Sequence, residues 1–292
     1  MIVVVCGVTA SGKSQIARKV ADILGANILN GDAFQVYKHL NIGVNKPSSE
    51  TIRKYSYQLI DFLDPASSFS IADYQEMGRE IVEDCVKQGK HLVIEGGSGL
   101  YIKALLFDYQ FEKKSTFISD DYENRTNEEL YALLALKDSE STKSIHINNR
   151  KRIIRALRIC DETGTTKSEI IASQNHKLLY NSVHFVALDV DRKTLYKRIN
   201  ERAEVMWDSG LRNEVIEIVQ KYGGNLQSLQ AIGYKEVIEG IENHSTDQEI
   251  IEKIQKNTRN YAKRQVTYFK HQLPVKFFKS EISLLEYIRE QR

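Results

Sequence analysis

The chain has 292 residues, 41% hydrophobic and 27% charged, with 41 basic against 39 acidic side chains and a formal net charge of +2. That length fits one domain carrying an insertion, or two domains, and the near-neutral balance excludes a polycationic nucleic-acid binder, so any such partner must meet a local patch. Cys6, Cys85 and Cys160 form no C-x-x-C pair, which argues against a disulfide framework or a cysteine zinc site, and no apolar run approaches the length of a membrane span.

The apolar run Ile2–Cys6 predicts a buried strand at the very start, so no signal peptide is expected and a reducing cytoplasm fits. Residues 7–14 then have the spacing G-x-x-x-x-G-K-[ST]. A helical pattern follows, with Ile16, Ala17, Val20, Ile23 and Leu24 on one face and Gly25 as its stop. Strand, loop and helix in that order are the context of a phosphate-binding loop. Its glycines let backbone N–H groups along Gly7, Thr9, Ala10, Ser11 and Gly12 converge on one anion at the positive end of a helix. Lys13 adds a point charge, and the Ser14 hydroxyl is a ligand for Mg2+. The pattern points to a bound polyphosphate and leaves open what is done with it.

Residues 27–30 read as a short second strand, and Asp32 just beyond it falls on the rim that lines the ligand crevice of a parallel sheet. An Asp there equally caps a turn. Residues 41–69 are rich in loops. Ser70 reads as the N-cap of a helix with Ile71, Tyr74, Met77, Ile81 and Cys85 inward and Gly89 closing it. Residues 91–95 give a third strand, which runs into Gly96-Gly97-Ser98-Gly99-Leu100-Tyr101, a turn whose glycines predict backbone close to a ligand. Glu95, at the strand end, either orders magnesium through water or pairs with Lys103. From Phe107 the pattern changes: Glu112-Lys113-Lys114-Ser115 and Ser119-Asp120-Asp121 precede one amphipathic segment with Leu130, Leu133, Leu134 and Leu136. A helical insertion over residues 107–179 is expected, between core segments 1–106 and 180–292.

Within the insertion Ile153, Ile154, Leu157 and Cys160 face a core, and Arg150, Lys151, Arg155 and Arg158 form a basic face with Arg152 beside them. Such a run either tracks a phosphate backbone or is a solvated helix face. After a strand at 183–190, a helix carries Arg198 and Arg202 on one face, placed to close over a phosphate unless Glu201 and Glu204 pair with them. The longest helix spans about 247–270, with Arg259, Lys263 and Lys270 close to one side and Tyr261, Tyr268 and Phe269 interleaved, which suits a nucleic-acid surface or a core. A last strand at 275–278 and a helix follow. The alternation predicts an α/β fold, a doubly wound parallel sheet of the P-loop NTPase type with a helical insertion subdomain. A kinase and a transferase that expels diphosphate would both use this layout.

Gly7-Val8-Thr9-Ala10-Ser11-Gly12-Lys13-Ser14 resembles the G-P-T-A-S-G-K-[ST] of the tRNA dimethylallyltransferases, Asp32-Ala33-Phe34-Gln35-Val36-Tyr37 resembles their D-S-x-Q-V-Y, and the turn from Gly96 resembles their G-G-T-G-L-Y. Arg152-Ile153-Ile154-Arg155-Ala156-Leu157 followed by Thr163-Gly164 is similar to their R-I-I-R-A-L…T-G. Ala231-Ile232-Gly233-Tyr234-Lys235-Glu236 and Thr258-Arg259-Asn260-Tyr261-Ala262-Lys263-Arg264-Gln265 are similar to two further blocks. The chain departs from the family at Val8 for proline, Ala33 for serine and Glu95 for an apolar residue, and shows no zinc finger, as in the bacterial form.

The resemblance implies that dimethylallyl diphosphate alkylates N6 of the adenosine just 3′ of the anticodon. Negative charge grows on diphosphate as the allylic C–O bond breaks, so it implies a loop holding that leaving group, Mg2+ on Ser14, and Arg198 and Arg202 as further cations. It implies Asp32 as general base, Thr9 touching the bridging oxygen or orienting Asp32, and Lys13 as a third catalytic group. It places Asp32, Ala33, Phe34, Gln35 and Ser98 against the target nucleotide or its neighbours. It places Lys151, Arg152, Ile153, Ile154 and Arg155, with Arg259, Lys263 and Arg264, against the anticodon stem-loop. tRNA and the prenyl donor are the implied partners, without a membrane, and a monomer is expected. An isopentenyltransferase for free adenine nucleotides, a P-loop nucleotide kinase and an RNA-binding protein with a decayed loop are the alternatives.

Overall fold

An unbroken apolar run makes Ile2–Cys6 (β1) a strand buried along its whole length, as a central strand of a parallel sheet must be. In the computed structural model, which describes residues 1–111 and 122–292, it is followed by α1 (Lys13–Leu24), β2 (Asn27–Asn30), α2 (Ser49–Lys54), α3 (Ile71–Lys87), β3 (Leu92–Gly96) and α4 (Gly99–Leu106). Then come α5 (Asn127–Lys137), α6 (Ser139–Thr142), α7 (Arg150–Thr163) and α8 (Lys167–Ser173). The remainder is β4 (Val183–Leu188), α9 (Arg192–Asp208), α10 (Leu211–Tyr222), α11 (Tyr234–Glu242), α12 (Asp247–Gln272), β5 (Lys276–Phe278) and α13 (Glu281–Glu290). Two compact units result: Met1–Leu106 with Tyr180–Arg292, and Phe107–Leu179. Among the described residues no helix is long and apolar enough to cross a membrane.

In the first unit the five described strands form one parallel sheet in the order β2-β3-β1-β4-β5. Val3, Val5, Ile28, Val93 and Val186 pack on one face with Ile16, Ala17 and Val20 of α1 and Leu284 and Ile288 of α13. Val4 and Ile94 point the other way by the alternation of a strand and are also 0% exposed, so both faces are covered. α3 starts at a reciprocal cap between Ser70 and Asp73. Its buried stripe is Tyr74, Gly78 and Val82, whereas Met77, Ile81 and Cys85 are half-buried. The stripe follows Gly78, which lets α3 sit on α4: a Cβ there would stand 2.8 Å from Leu105 Cδ1.

The second unit has its own core of Tyr122, Leu130, Leu134, Ile145, Ile153, Ile154, Ala156 and Leu157. Leu136 falls outside the stripe set by Leu130 and Leu134 and is 85% exposed. Arg150 does not join a basic face. Its guanidinium donates to the backbone carbonyls of Tyr122 (2.8 Å), Glu123 (2.9 Å) and Arg125 (2.7 Å), closing the chain ahead of α5. Arg158 lies 3.4 Å from Glu123. Ile153 and Ile154 are core side chains, whereas Arg152 and Arg155 of the R-I-I-R block, and Lys151 before it, are exposed. The segments Glu112-Lys113-Lys114-Ser115 and Ser119-Asp120-Asp121 lie outside the described residues.

Candidate active site

β1 ends at Cys6 and the chain turns at once. The Ser11 N–H donates to the Val8 carbonyl (3.2 Å), and Ala10 and Gly12 adopt φ of +61° and +87°. Gly12 is the N-cap of α1 and offers no side-chain acceptor, so the first N–H groups of the helix are left for an anion. Thr9, Ala10, Gly12, Lys13 and Ser14 line a cavity of about 690 Å³. Gly7 and Ser11 are buried behind them and shape the loop rather than face the cavity. Burial pulls the Lys13 ammonium below its ordinary pKa, and the carboxylates of Glu95 and Asp32 oppose that shift.

β2 delivers Asp32 to the same cavity through a turn locked by Asn30, which is 2% exposed. Asn30 Oδ1 accepts from the Asp32 N–H (3.0 Å), while Nδ2 donates to the carbonyls of Asp32 (3.1 Å) and Leu59 (2.9 Å). Asp32 Oδ1 accepts from the Phe34 N–H at 3.0 Å, so one carboxylate oxygen caps the turn and the other remains for chemistry. Ala33, Phe34, Gln35 and Ser98 line the cavity beside it. Gln35 Nε2 donates to the carbonyls of Val44 (3.0 Å) and Asn45 (3.2 Å), which leaves its Oε1 for a ligand. Ser98 Oγ accepts from the Ala33 N–H at 3.4 Å.

α9 brings in Arg202, whose Nη1 donates to Thr9 Oγ1 at 3.1 Å. Burial lowers its pKa, opposed by Asp32. Arg198 shares the spacing but not the site: it is exposed and lies outside the cavity lining, while its neighbours Leu195 and Ile199 are the side chains that pack with Val8 of the loop. Glu201 faces Lys197 at 3.7 Å and Glu204 accepts from Gln255 at 3.3 Å, in place of the arginine pairs that the spacing allowed.

The glycines of the turn after β3 let it approach α12, while Ser98 between them lines the cavity. A Cβ on Gly97 would collide with Gln265 Nε2, and one on Gly99 with the Tyr268 ring. Gln265, 6% exposed, donates to the Gly97 carbonyl (2.8 Å) and accepts from the Thr9 N–H (3.0 Å), so one side chain ties α12 to both loops. In the sequence it is only the last letter of a motif block; the signal that could have found it is an uncharged amide at a buried position of an amphipathic helix. Gln265→Leu leaves both backbone groups without that partner, at about 1–3 kcal/mol for each buried group. A lowered urea midpoint at unchanged slope is expected, and an unchanged midpoint would remove Gln265 as a tie.

Two more α12 positions diverge from a simple basic face. Arg259 donates to Asn200 Oδ1 at 2.6 Å, so it joins α12 to α9. Tyr261 lines the cavity, its hydroxyl pushed up to about 12 by burial and then by Asp32. Phe269 is core, whereas Lys263 and Arg264 are exposed and Arg264 also borders the cavity. Glu95, 7% exposed, accepts from the Tyr57 hydroxyl at 2.7 Å, and Lys103 donates instead to Gln272 Oε1 at 3.3 Å, so the Glu95–Lys103 pair is not formed. Among the described residues no cluster of three or more His, Cys, Asp or Glu is placed to hold a metal. A Mg2+ bound by one hydroxyl, phosphate oxygens and water needs none, and Ser14 lies on the cavity wall with a hydroxyl of that kind.

Residues 35–272 match the family model described as IPP transferase. A tRNA dimethylallyltransferase of Bacillus velezensis is 40% identical over 280 residues, 94% of this chain and 89% of that protein. One of Bacillus subtilis is 39% identical over 283 residues, 95% of this chain and 90% of that protein. The solved tRNA delta(2)-isopentenylpyrophosphate transferase of Staphylococcus epidermidis aligns with a TM-score of 0.72 at 36% identity, covering 99% of this chain and 97% of that one. A eukaryotic dimethylallyltransferase acting on tRNA gives a TM-score of 0.82 over all of this chain and 77% of its own, and at 23% identity that likeness speaks for the fold alone.

Proposed function

The chain belongs to the IPP transferase family, and from that membership we propose that it transfers the dimethylallyl group of dimethylallyl diphosphate to N6 of the adenosine 3′-adjacent to the anticodon in tRNA, releasing diphosphate. The observation that carries the reading is the convergence of the phosphate loop, Lys13, Arg202 and Asp32 on one cavity. A leaving group that gains charge and an amine that loses a proton need cations and a base in one place.

Diphosphate lies on the loop N–H groups with Lys13, and Arg202 adds its charge from α9 beside Thr9. These groups stabilise the charge that develops as the C–O bond breaks. Mg2+, held by the Ser14 hydroxyl when bound, would neutralise part of the diphosphate charge. The adenine leaves the anticodon-loop stack to reach the cavity, and its N6 attacks the allylic carbon while the free oxygen of Asp32 takes the N6 proton. Thr9, fixed by Arg202 and Gln265, holds its hydroxyl at the junction between base and leaving group. Gln35 Oε1 and Ser98, both on the cavity lining, would meet the target nucleotide or its neighbours.

Lys263 and Arg264, and on the insertion Lys151, Arg152 and Arg155, are the cations for the stem-loop phosphates. Lys263→Ala is expected to weaken tRNA binding evenly across tRNAs and to flatten its salt dependence by about one unit of slope. Titration at several salt concentrations reads this, and a slope equal to wild type would make that part of α12 scaffold.

The deciding experiment incubates the protein with labelled dimethylallyl diphosphate, Mg2+ and either bulk tRNA or AMP. Label in tRNA is expected. Label in AMP alone would assign a free nucleotide as acceptor, and ATP turnover without prenyl transfer would assign a kinase.

A further inference from the structure

Arg202 is not alone on its side of α9. Ile199, Ala203 and Met206 also line the cavity, at positions that share its helical face. They are 1%, 1% and 8% exposed. Ala231 and Ile232, just before α11, and Ile254 of α12 complete this apolar lining. One helix therefore presents a guanidinium flanked by hydrocarbon, which matches a donor with a charged head and an apolar tail.

We propose that Met206 is the end stop of this apolar wall and restricts the donor to a single isoprene unit. The inference rests on the prenyl-transfer reading above. Met206 reaches from α9 to the turn that opens α11: a Cβ on Gly233 would stand 3.6 Å from Met206 Cε. Leu211 and Gly43 pack around the same point, 3.6 and 3.7 Å from that position. The thioether thus fills the space between α9 and the turn. Arg202 and Met206 are about 6 Å apart along the helix axis. A spacing of one helical turn between the cation and the thioether is on the scale of one isoprene unit. Ile199 and Ile254 are β-branched and stiff, whereas the methionine is unbranched and its removal opens the wall.

The test offers the full-length protein, with bulk tRNA and Mg2+, equal amounts of dimethylallyl and geranyl diphosphate in one reaction, and separates the products by mass. Wild type is expected to favour dimethylallyl by about 100-fold or more, the selectivity that a close apolar wall gives against added carbons. Met206→Ala is expected to cut that ratio at least about tenfold, and Met206→Val to cut it less. The valine variant carries the test if the alanine variant does not fold. A second readout needs no turnover: geranyl diphosphate should stabilise Met206→Ala against heat more than diphosphate does, and should not do so for wild type. Folded variants with the wild-type ratio would overturn the proposal, as would a wild type that accepts both donors equally. Wild type that transfers neither group to tRNA would sink the prenyl-transfer reading instead, and the thermal contrast would still judge Met206.

Discussion

Asp32→Asn is expected to slow dimethylallyl transfer by about 10²–10⁴-fold, the usual worth of a general base, with tRNA affinity nearly unchanged. The substitution keeps the shape of the side chain and keeps an oxygen to accept from the Phe34 N–H. The Asn30 bonds that hold this turn involve the backbone of residue 32 and are untouched. What is lost is the anionic oxygen that would receive the N6 proton in the proposed reaction. Single-turnover measurement at saturating tRNA isolates this step from binding, and a variant that transfers at the wild-type rate would remove Asp32 as the base.

Arg202→Ala is expected to lower kcat by about 10²–10³-fold, as deletion of one preorganised donor to a developing anion does elsewhere. Its guanidinium sits against Thr9 at the loop, and no acid of its own helix takes it away. Arg202→Lys should recover only part of the loss, since an ammonium lacks the planar fork of donors. Arg198→Ala, one turn away and exposed, is the internal control and should behave as wild type. If both arginine variants lost activity equally, the cavity geometry would be the wrong guide to the diphosphate site.

Most of the sheet was readable because its signals are local. The apolar runs of β1 and β3, the glycine–lysine loop and the Ser70 cap each act within a few residues, and the motif order tied them together. The parts that were misread depend on what a helix face meets across the fold. Spacing places Arg198 and Arg202 together, yet only packing decides which is inside. The basic residues of α7 and α12 look alike in sequence, but Arg150 closes a loop and Arg259 holds a neighbouring helix. Glycines mark a close approach without naming the visitor, and at Gly97 and Gly99 that visitor is α12. Gln265 and Asn30 escaped notice because a buried amide is recognised by its partners, and those are set by tertiary contact.

The tie between Thr9 and Gln265 spans 256 residues. On the ribosome the phosphate loop therefore emerges long before its latch. At about 5–20 residues per second the interval is roughly 13 to 50 s. Throughout that time the loop lacks the side-chain acceptor that its Thr9 N–H has in the folded protein, so its final geometry waits on α12.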